Sequence, residues 1–220
     1  MKKNIKVGFL FDSSNNWISE YLDDSNWLSS LPQTFIYKKI YLEKESIGFD
    51  VLFILGYTRI IPKSILDKNH LNLLVHESPL PKGRGFSPVQ WQILEGINKI
   101  PVNLIEATEF VDRGDIFNTA IINLEGHELL NDIREAQAEA TKKLIAEFLI
   151  QYPRISMKPQ EGDPTYYSRR KRQDDAIDAN QTIASQFNKF RIINNEEYPA
   201  YFDYLGFRYK LTITKIDRDD

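Results

Sequence analysis

The sequence predicts an α/β fold with a mostly parallel sheet and helices on both faces, followed by a small C-terminal α+β module that contains a β-hairpin. Two observations predict it. Apolar runs of strand length alternate with helical segments through the first two thirds of the chain, and these runs are apolar on both faces, as strands of parallel sheets are. Near the end, two aromatic and β-branched runs flank a glycine instead.

The first elements follow in order along the chain. Residues 5–11 form a continuous apolar run, after which Ser and Asn residues stand at a helix N-cap position before a periodic stretch. Further apolar runs at 49–55 and 71–75 predict two more buried strands. A helix over 87–96 is predicted by Ser87 as its cap, a proline at its first position and a glycine stop.

Two more predicted strands, 101–109 and 115–123, precede the most regular helix of the sequence. This helix covers 126–151, where apolar residues recur every three or four positions. Strands and helices that alternate in this way indicate a Rossmann-like sheet. We place this α/β domain at 1–152.

Residues 153–220 form the second predicted unit. Three prolines and few apolar residues predict an extended connector at its start. A short helix is predicted over 179–193, and the two runs around Gly206 predict the hairpin.

Composition and charge narrow the functional class. The chain has 220 residues, 42% of them hydrophobic, three histidines, no cysteine and a net charge of −3. The lack of cysteine excludes disulfides, thiol nucleophiles and cysteine-based zinc sites, and the charge does not indicate a nucleic-acid partner. No apolar run approaches the ~20 residues that cross a bilayer and no signal peptide is recognisable, so we expect no membrane partner and a cytoplasmic location.

The segment "HESPLPKGRGFSP" places His76 directly after the strand 71–75. Ligands of open α/β sheets bind beyond the carboxyl ends of the strands, so this position is a candidate site. Asp112 stands between the last two predicted strands. Histidine and aspartate together perform acid–base chemistry near neutral pH, because a nearby carboxylate favours the charged imidazole. A lone histidine at a strand end is more often structural, but the pair makes His76 and Asp112 candidate catalytic groups.

Taken in their order along the chain, these motifs resemble those of the folate-dependent formyltransferases, which include methionyl-tRNA, glycinamide ribonucleotide and nucleotide-sugar N-formyltransferases. The family loop reads approximately Asn-x-His-x-Ser-Leu-Leu-Pro-x-x-Arg-Gly, and the matching residues here are His76, Ser78, Leu80, Pro81, Arg84, Gly85 and Pro88. The second family motif, Asp-x-Gly-x-Ile, is matched by Asp112, Gly114 and Ile116. The resemblance spans residues 5 to about 215 and implies the formyltransferase fold.

One position departs from the family pattern. The family has asparagine two residues before the histidine, whereas this chain has Leu74. Leucine cannot donate a hydrogen bond to a developing oxyanion. A backbone N–H, Asn72 or Asn103 is an alternative donor; otherwise the activity is altered or lost. A non-catalytic folate or nucleotide-sugar binder is therefore one alternative.

The resemblance implies transfer of a formyl group from 10-formyltetrahydrofolate to an amine, without a metal. His76 would stabilise the oxyanion or supply a proton, and Asp112 would support His76 and help to deprotonate the amine. The same resemblance implies a folate pocket. Its expected residues are Arg59, Ile60, Ile61, Ser78, Pro81, Phe86, Glu109, Phe110 and Val111.

Among the family's substrates, the resemblance favours nucleotide-linked 4-amino-4,6-dideoxy sugars used in bacterial surface glycans. Such a molecule needs an anion site for its diphosphate and an aromatic face for its base. The candidates for the diphosphate are Ser13, Asn15, Asn16, Arg169 and Arg170, and those for the base are Tyr166, Tyr167 and Tyr198. Helix capping, solvated charge and packing are the structural alternatives for these residues.

A methionyl-tRNA formyltransferase-like enzyme is the alternative within the family. It is disfavoured because residues 151–220 hold 12 Lys and Arg against 11 Asp and Glu, which is little positive charge for a tRNA surface. The expected partner is thus a small-molecule nucleotide sugar. The oligomeric state is left open, with a homodimer among the alternatives.

Overall fold

A computed structural model describes residues 4–216 of the chain. The strands are β1 (Ile5–Leu10), β2 (Phe35–Ile40), β3 (Val51–Ile54), β4 (Asn72–His76), β5 (Arg84–Gly85), β6 (Lys99–Glu106), β7 (Ile116–Asn123), β8 (Tyr166–Tyr167), β9 (Ala200–Tyr204) and β10 (Phe207–Leu211). The helices are α1 (Trp17–Tyr21), α2 (Ser25–Ser30), α3 (Lys63–Leu66), α4 (Pro88–Leu94), α5 (Leu130–Gln151) and α6 (Phe187–Arg191). Short 3-10 turns cover Glu43–Glu45, Arg172–Asp175 and Ala184–Gln186.

Six of these strands form one sheet in the order β2-β1-β3-β4-β6-β7. The pairs β1–β2, β1–β3 and β3–β4 are parallel, whereas β6 runs antiparallel to both β4 and β7. The predicted mostly parallel sheet is therefore confirmed. The predicted C-terminal hairpin is also confirmed, since β9 and β10 pair antiparallel.

The core lies on both faces of this sheet. One large cluster packs the sheet against α1, α2, α4 and α5, and includes Leu73, Ile93 and Phe148. A smaller cluster on the other face includes Ile54 and Leu66, the latter from α3. Helices thus cover both faces, as predicted. Each fully buried side chain of this size stabilises the fold by about 1.5–3 kcal/mol.

Three local features differ from the sequence-based predictions. Strand β2 was not predicted, because at the sheet edge its first five residues alternate between half-buried and exposed and include two lysines. Ser87 does not cap α4 with its side chain; it adopts a left-handed conformation with φ 51°. The predicted helix 179–193 is shortened to α6 and one 3-10 turn, because Asp178 and Thr182 accept hydrogen bonds from nearby main-chain N–H groups and favour turns.

The segment predicted as an extended connector is bound to the α/β unit. Its strand β8 pairs parallel with β5, in the loop that follows β4. Upstream, Lys158 and Ile116 exchange two main-chain hydrogen bonds of 2.7 and 2.9 Å. The connector therefore contributes directly to the surroundings of the candidate motifs. The division into units at residue 152 stays a prediction.

Candidate active site

A cavity of about 440 Å³ opens at the carboxyl ends of β3 and β4. Its walls come from these strand ends, from the loop 56–61 after β3, from the loop 107–112 after β6 and from α5. This volume lies within the roughly 300–1,000 Å³ typical of small-molecule sites. The position agrees with the general rule for ligands of α/β sheets.

His76 ends β4 and is buried beside the cavity. Its Nε2 lies 2.8 Å from the carbonyl oxygen of Gly83, and its Nδ1 lies 3.5 Å from Oδ1 of Asp112. A carbonyl oxygen can only accept a hydrogen bond, so Nε2 carries a proton and donates it. Nδ1 is therefore the ring nitrogen that can gain or lose a proton, next to a carboxylate.

Asp112 joins the two sequence motifs. Its Oδ2 accepts a 2.8 Å hydrogen bond from the main-chain N–H of Gly85, while its Oδ1 faces His76. Asp112 is buried and has a positive φ of 53°, a conformation that aspartate tolerates better than most residues. Such a conformation costs on the order of 1–3 kcal/mol and is typical of functional sites. The carboxylate is thus held in place on both of its oxygens.

The glycines of the two motifs are required by close main-chain contacts. A Cβ atom at Gly114 would overlap the carbonyl oxygen of Glu106, and one at Gly85 would overlap the carbonyl oxygen of Tyr167. Any side chain at either position would push the strands apart. The "RG" and "DRG" motifs therefore allow the loops around His76 and Asp112 to pack closely.

Gln160, in the connector, holds these two loops together. Its Oε1 accepts hydrogen bonds of 3.2 and 2.6 Å from Nε and Nη2 of the buried Arg84. Its Nε2 donates to the carbonyl oxygens of Asp112 and Gly114, both at 2.9 Å. This residue was not predicted, because nothing in a proline-rich segment marks one glutamine as a long-range partner.

One side of the cavity, the apolar wall, is formed by Ile54, Ile61, Leu66, Leu74, Ala107, Phe110 and Val111. Ile60 and Phe110 expose 72% and 57% of their surface at this site, although both are large and apolar. Exposed apolar groups that line a concave site commonly contact a ligand. Most of the expected folate residues lie here, namely Arg59, Ile60, Ile61, Phe86, Glu109, Phe110 and Val111.

Two expected folate residues, Ser78 and Pro81, do not line the cavity. Both are buried, and Ser78 donates a 2.8 Å hydrogen bond to the carbonyl oxygen of Lys82. They shape the loop after β4 instead.

Neither asparagine considered as a replacement donor for Leu74 is available. Asn72 donates to the carbonyl oxygen of Leu66 at 3.0 Å and accepts from Asn69. Asn103 donates to the carbonyl oxygen of Ser78, and its Oδ1 accepts a 2.6 Å hydrogen bond from Thr119. Both are buried and outside the cavity lining, so this alternative is not supported.

The opposite side, the polar wall, is formed by Glu77, Arg134, Gln137 and Thr141. Oε1 of Glu77 accepts a 3.1 Å hydrogen bond from Nε2 of Gln137. Burial raises the pKa of the Glu77 carboxyl, although the neighbouring His76 and Gln137 act in the opposite direction. These residues were not predicted from the sequence. They could have been noticed, because positions 134, 137 and 141 share one face of a helix and are polar where apolar core residues are expected.

The residues expected to bind a diphosphate do not converge on one site. Asn15 and Asn16 line a second cavity of about 620 Å³, whereas Ser13 lines neither cavity. Asn16 caps α1 and donates to the carbonyl oxygen of Gly56 at 2.9 Å. Arg169 places its Cζ 4.4 Å from the ring centre of Phe86 at the edge of the first cavity. Arg170 instead forms a 2.7 Å ion pair with Asp175, away from both cavities.

The tyrosines expected to bind a base are also separated from one another. Tyr166 is exposed and accepts a 3.3 Å hydrogen bond from Arg113. Tyr167 donates to Glu95, and burial together with this bond raises its pKa to about 12. Tyr198 is exposed, and none of the three lines either cavity. A shared aromatic platform for a base is therefore not supported.

No helix within residues 4–216 is long and apolar enough to cross a membrane. Over the same range, no group of three or more His, Asp or Glu side chains is arranged to hold a metal ion.

Two solved structures share this fold. A methionyl-tRNA formyltransferase from Clostridium thermocellum matches with a TM-score of 0.81 at 20% identity, over 98% of this chain and 95% of that chain. A 4-N formyltransferase from Francisella tularensis matches with a TM-score of 0.74 at 16% identity, over 96% of this chain and 99% of that chain.

The chain is also similar in sequence to curated proteins and to a family model. A methionyl-tRNA formyltransferase from Francisella philomiragia subsp. philomiragia is 31% identical over 130 residues, which is 59% of this chain and 42% of that protein. The chain thus spans about two fifths of the length of the curated relatives that it matches. Residues 31–149, more than half of the chain, match the family model described as formyl transferase. Because this match includes His76, Asp112 and most of the cavity wall around them, the chain belongs to the formyl transferase family.

Proposed function

We propose that this protein transfers a formyl group from 10-formyltetrahydrofolate to the amine of a nucleotide-linked amino sugar. The observation that carries the proposal is the pairing of His76 and Asp112, with Nδ1 and Oδ1 3.5 Å apart, at a cavity with one apolar and one polar wall. Formyl transfer needs a group that manages a proton and a partner that balances its charge. This pair supplies both.

The apolar wall fits the flat ring system of a folate. Ile54, Ile61 and Ala107 offer buried apolar surface, and Ile60 and Phe110 offer exposed apolar surface. Folate rings are largely apolar on their faces and polar at their edges, which suits a slot of this kind. When bound, 10-formyltetrahydrofolate supplies the activated formyl group. The residues that would hold it are Arg59, Ile60, Ile61, Phe86, Glu109, Phe110 and Val111.

The orientation of His76 is set by its two contacts. Donation from Nε2 to Gly83 fixes the ring, so that Nδ1 exchanges its proton beside Asp112. In its protonated form His76 carries a positive charge that favours negative charge on a nearby carbonyl oxygen. Because Leu74 has no donor, the positive charge of protonated His76 would take the main share of this stabilisation. Asp112, fixed by Gly85, keeps that charge in place.

The charges of the C-terminal region favour a small acceptor, the molecule that receives the formyl group. Phosphate backbones are bound by cations that are free to contact them. Several arginines of this region already have acidic partners: Arg170 and Arg172 pair with Asp175, Arg191 with Glu128 and Arg208 with Asp203.

Methionyl-tRNA is the second candidate acceptor, and the sequence similarity to methionyl-tRNA formyltransferases favours it. An acceptor panel separates the two. Purified protein with 10-formyltetrahydrofolate receives thymidine, uridine or cytidine diphosphate-linked 4-amino-4,6-dideoxy sugars, or charged initiator tRNA, and released tetrahydrofolate is measured. We expect release with at least one sugar nucleotide and a product heavier by one formyl group. Release with tRNA alone would establish the second candidate, and release with none would favour a non-catalytic binder.

A further inference from the structure

Arg134 of α5 lies between two cavities and forms no ion pair with any residue in 4–216. It lines both the 440 Å³ cavity and the second cavity of about 620 Å³. Its Cζ lies 5.6 Å from the ring centre of Trp17, which also borders both. Among residues 4–216, no hydrogen bond or ion pair to its guanidinium is formed. The charge is therefore available to a ligand from either cavity.

Two other sheltered arginines of this chain have acidic partners. The fully buried Arg191 pairs with Glu128 at 3.1 Å, and Arg170 pairs with Asp175 at 2.7 Å. In the described part of the chain Arg134 lacks such an ion pair, and only the more distant charges of Glu197, Tyr21 and Glu20 offset part of its lost hydration. Burial also lowers the pKa of the Arg134 guanidinium. An anionic ligand would supply the missing partner.

The acidic residues near Arg134 determine at which end of the second cavity an anion would bind. The second cavity also holds acidic side chains, including Glu20, Asp132 and Glu197. Asp132 is paired with Lys215 at 2.6 Å, but Glu20 and Glu197 disfavour an anion deep in that cavity. Their carboxylates and the nearby asparagines instead suit the hydroxyl and N–H groups of a neutral moiety. An anion is thus favoured at the end of the second cavity that Arg134 shares with the first.

A hydrogen bond between Gln137 and Glu77 links the helix that carries Arg134 to the residue next to His76. Gln137 lies one helical turn after Arg134 on α5 and donates to Glu77, the residue next to His76. The hydrogen bond from Gln137 uses Oε1 of Glu77, a residue that lines this cavity. A carboxylate there can accept hydrogen bonds from an amine. An amine-binding group and an anion-binding group therefore line the same cavity.

We propose that Glu77, Gln137 and Arg134 form the acceptor subsite, in which Glu77 binds the amine beside His76 and Arg134 binds an anionic group of the same molecule. The inference rests on the proposed function, because it assigns the binding of that reaction's acceptor. For a nucleotide-linked sugar the anionic group is the diphosphate. The neutral part of the nucleotide would then extend into the second cavity.

Binding measurements on the full chain test the subsite. Calorimetry would compare the wild type with Arg134→Ala, Arg134→Lys and the control Lys143→Ala, an exposed cation on the same helix. The probes are thymidine, uridine and cytidine diphosphate, inorganic pyrophosphate and, separately, tetrahydrofolate. We expect at least one diphosphate to bind the wild type and Lys143→Ala equally, and Arg134→Ala to bind it roughly 10- to 100-fold more weakly. Arg134→Lys should retain part of the affinity, since it keeps the charge but not the planar fork.

Tetrahydrofolate separates a failure of the subsite from a failure of the proposed function. We expect all four proteins to bind it equally, which also shows that they are folded. Unchanged diphosphate affinity in Arg134→Ala, or no diphosphate binding by a wild type that binds tetrahydrofolate, would overturn the subsite and leave formyl transfer standing. A folded wild type that binds no tetrahydrofolate would overturn the proposed function itself.

Discussion

Gln160 donates a 2.9 Å hydrogen bond to the main-chain carbonyl of Asp112 and thereby ties the connector to the loop that carries the candidate catalytic carboxylate. The same side chain accepts from the buried Arg84, which lies in the loop that follows His76. Asp112 has a left-handed conformation that must be held by its surroundings. The spacing between His76 and Asp112 therefore depends on a residue from outside both loops.

Replacing Gln160 should weaken both activity and stability. Gln160→Ala removes four hydrogen bonds and leaves the Arg84 guanidinium buried without these partners, so we expect a loss of about 2–4 kcal/mol in the free energy of unfolding. Formyl transfer should fall at least about tenfold under conditions where the variant is folded. Urea denaturation and a transfer assay check both, with the exposed Gln151→Ala as control. A variant as stable and active as the control would refute the positioning role.

The position occupied by Leu74 should be limiting for catalysis. Leu74→Asn places a donor where the resemblance calls for one, and Leu74→Ala removes the same packing without adding a donor. We expect both to lose about 1–3 kcal/mol of stability, because the leucine is partly buried against Ile54 and its neighbours. We also expect the asparagine variant to transfer formyl groups faster than the alanine variant. Equal rates would show that a donor at this position is not needed.

Glu77 should make stability depend on pH. Its pKa is raised by burial, so the folded state holds a proton more tightly than the unfolded state does. The associated stability is present below about pH 4.5 and is lost as the pH rises through the raised folded-state pKa. Glu77→Gln mimics the protonated form, so at pH 7 it should melt at or above the wild-type temperature while transferring formyl groups more slowly.

Thermal melts from pH 4 to 8 check this expectation. The control is Glu161→Gln, which removes an exposed carboxylate and should leave the pH profile unchanged. A Glu77→Gln protein that is clearly less stable than the wild type at pH 7 would contradict it.

Glu128 should have the opposite pH dependence. Burial alone would raise its pKa, but main-chain N–H groups of Glu125 and Gly126, with Arg191, lower it to about 2. Its stabilisation is present above about pH 4.5 and is lost as the pH falls towards 2. With allowance for solvent screening, Glu128→Gln should cost about 2 kcal/mol at pH 7. That difference from the wild type should vanish near pH 2, whereas the exposed Glu125→Gln should show none; a difference that persists at low pH would argue against this assignment.

Much of the scaffold could be predicted because its signals are local. Buried parallel strands such as β1 and β3 read as short apolar runs, and α5 shows a regular helical period over 22 residues. Strand β2 was not predicted, because an edge strand that is mostly half-buried or exposed has no continuous apolar run. The helix 179–193 was predicted too long, because side chains of Asp178 and Thr182 compete locally for the backbone.

Residues of the candidate site could be predicted only where they belong to a recognisable motif. His76, Asp112 and the walls at 59–61 and 109–111 stand in recognisable order and lie together at one cavity. Gln160 and Arg134 contribute through the fold, from positions that no motif marks. Arg170 and Tyr167 show the converse, since a charge or an aromatic ring in the sequence does not reveal that Asp175 or Glu95 already contacts it.

The most direct test of formyl transfer by the His76 and Asp112 pair is the rate of tetrahydrofolate release from 10-formyltetrahydrofolate and an amino-sugar nucleotide. We expect His76→Asn and Asp112→Asn each to lower this rate by about 10²- to 10⁴-fold while still binding tetrahydrofolate. The control His127→Asn, at an exposed histidine paired with Glu125, should match the wild type. Release that continues at the wild-type rate in His76→Asn would contradict the account.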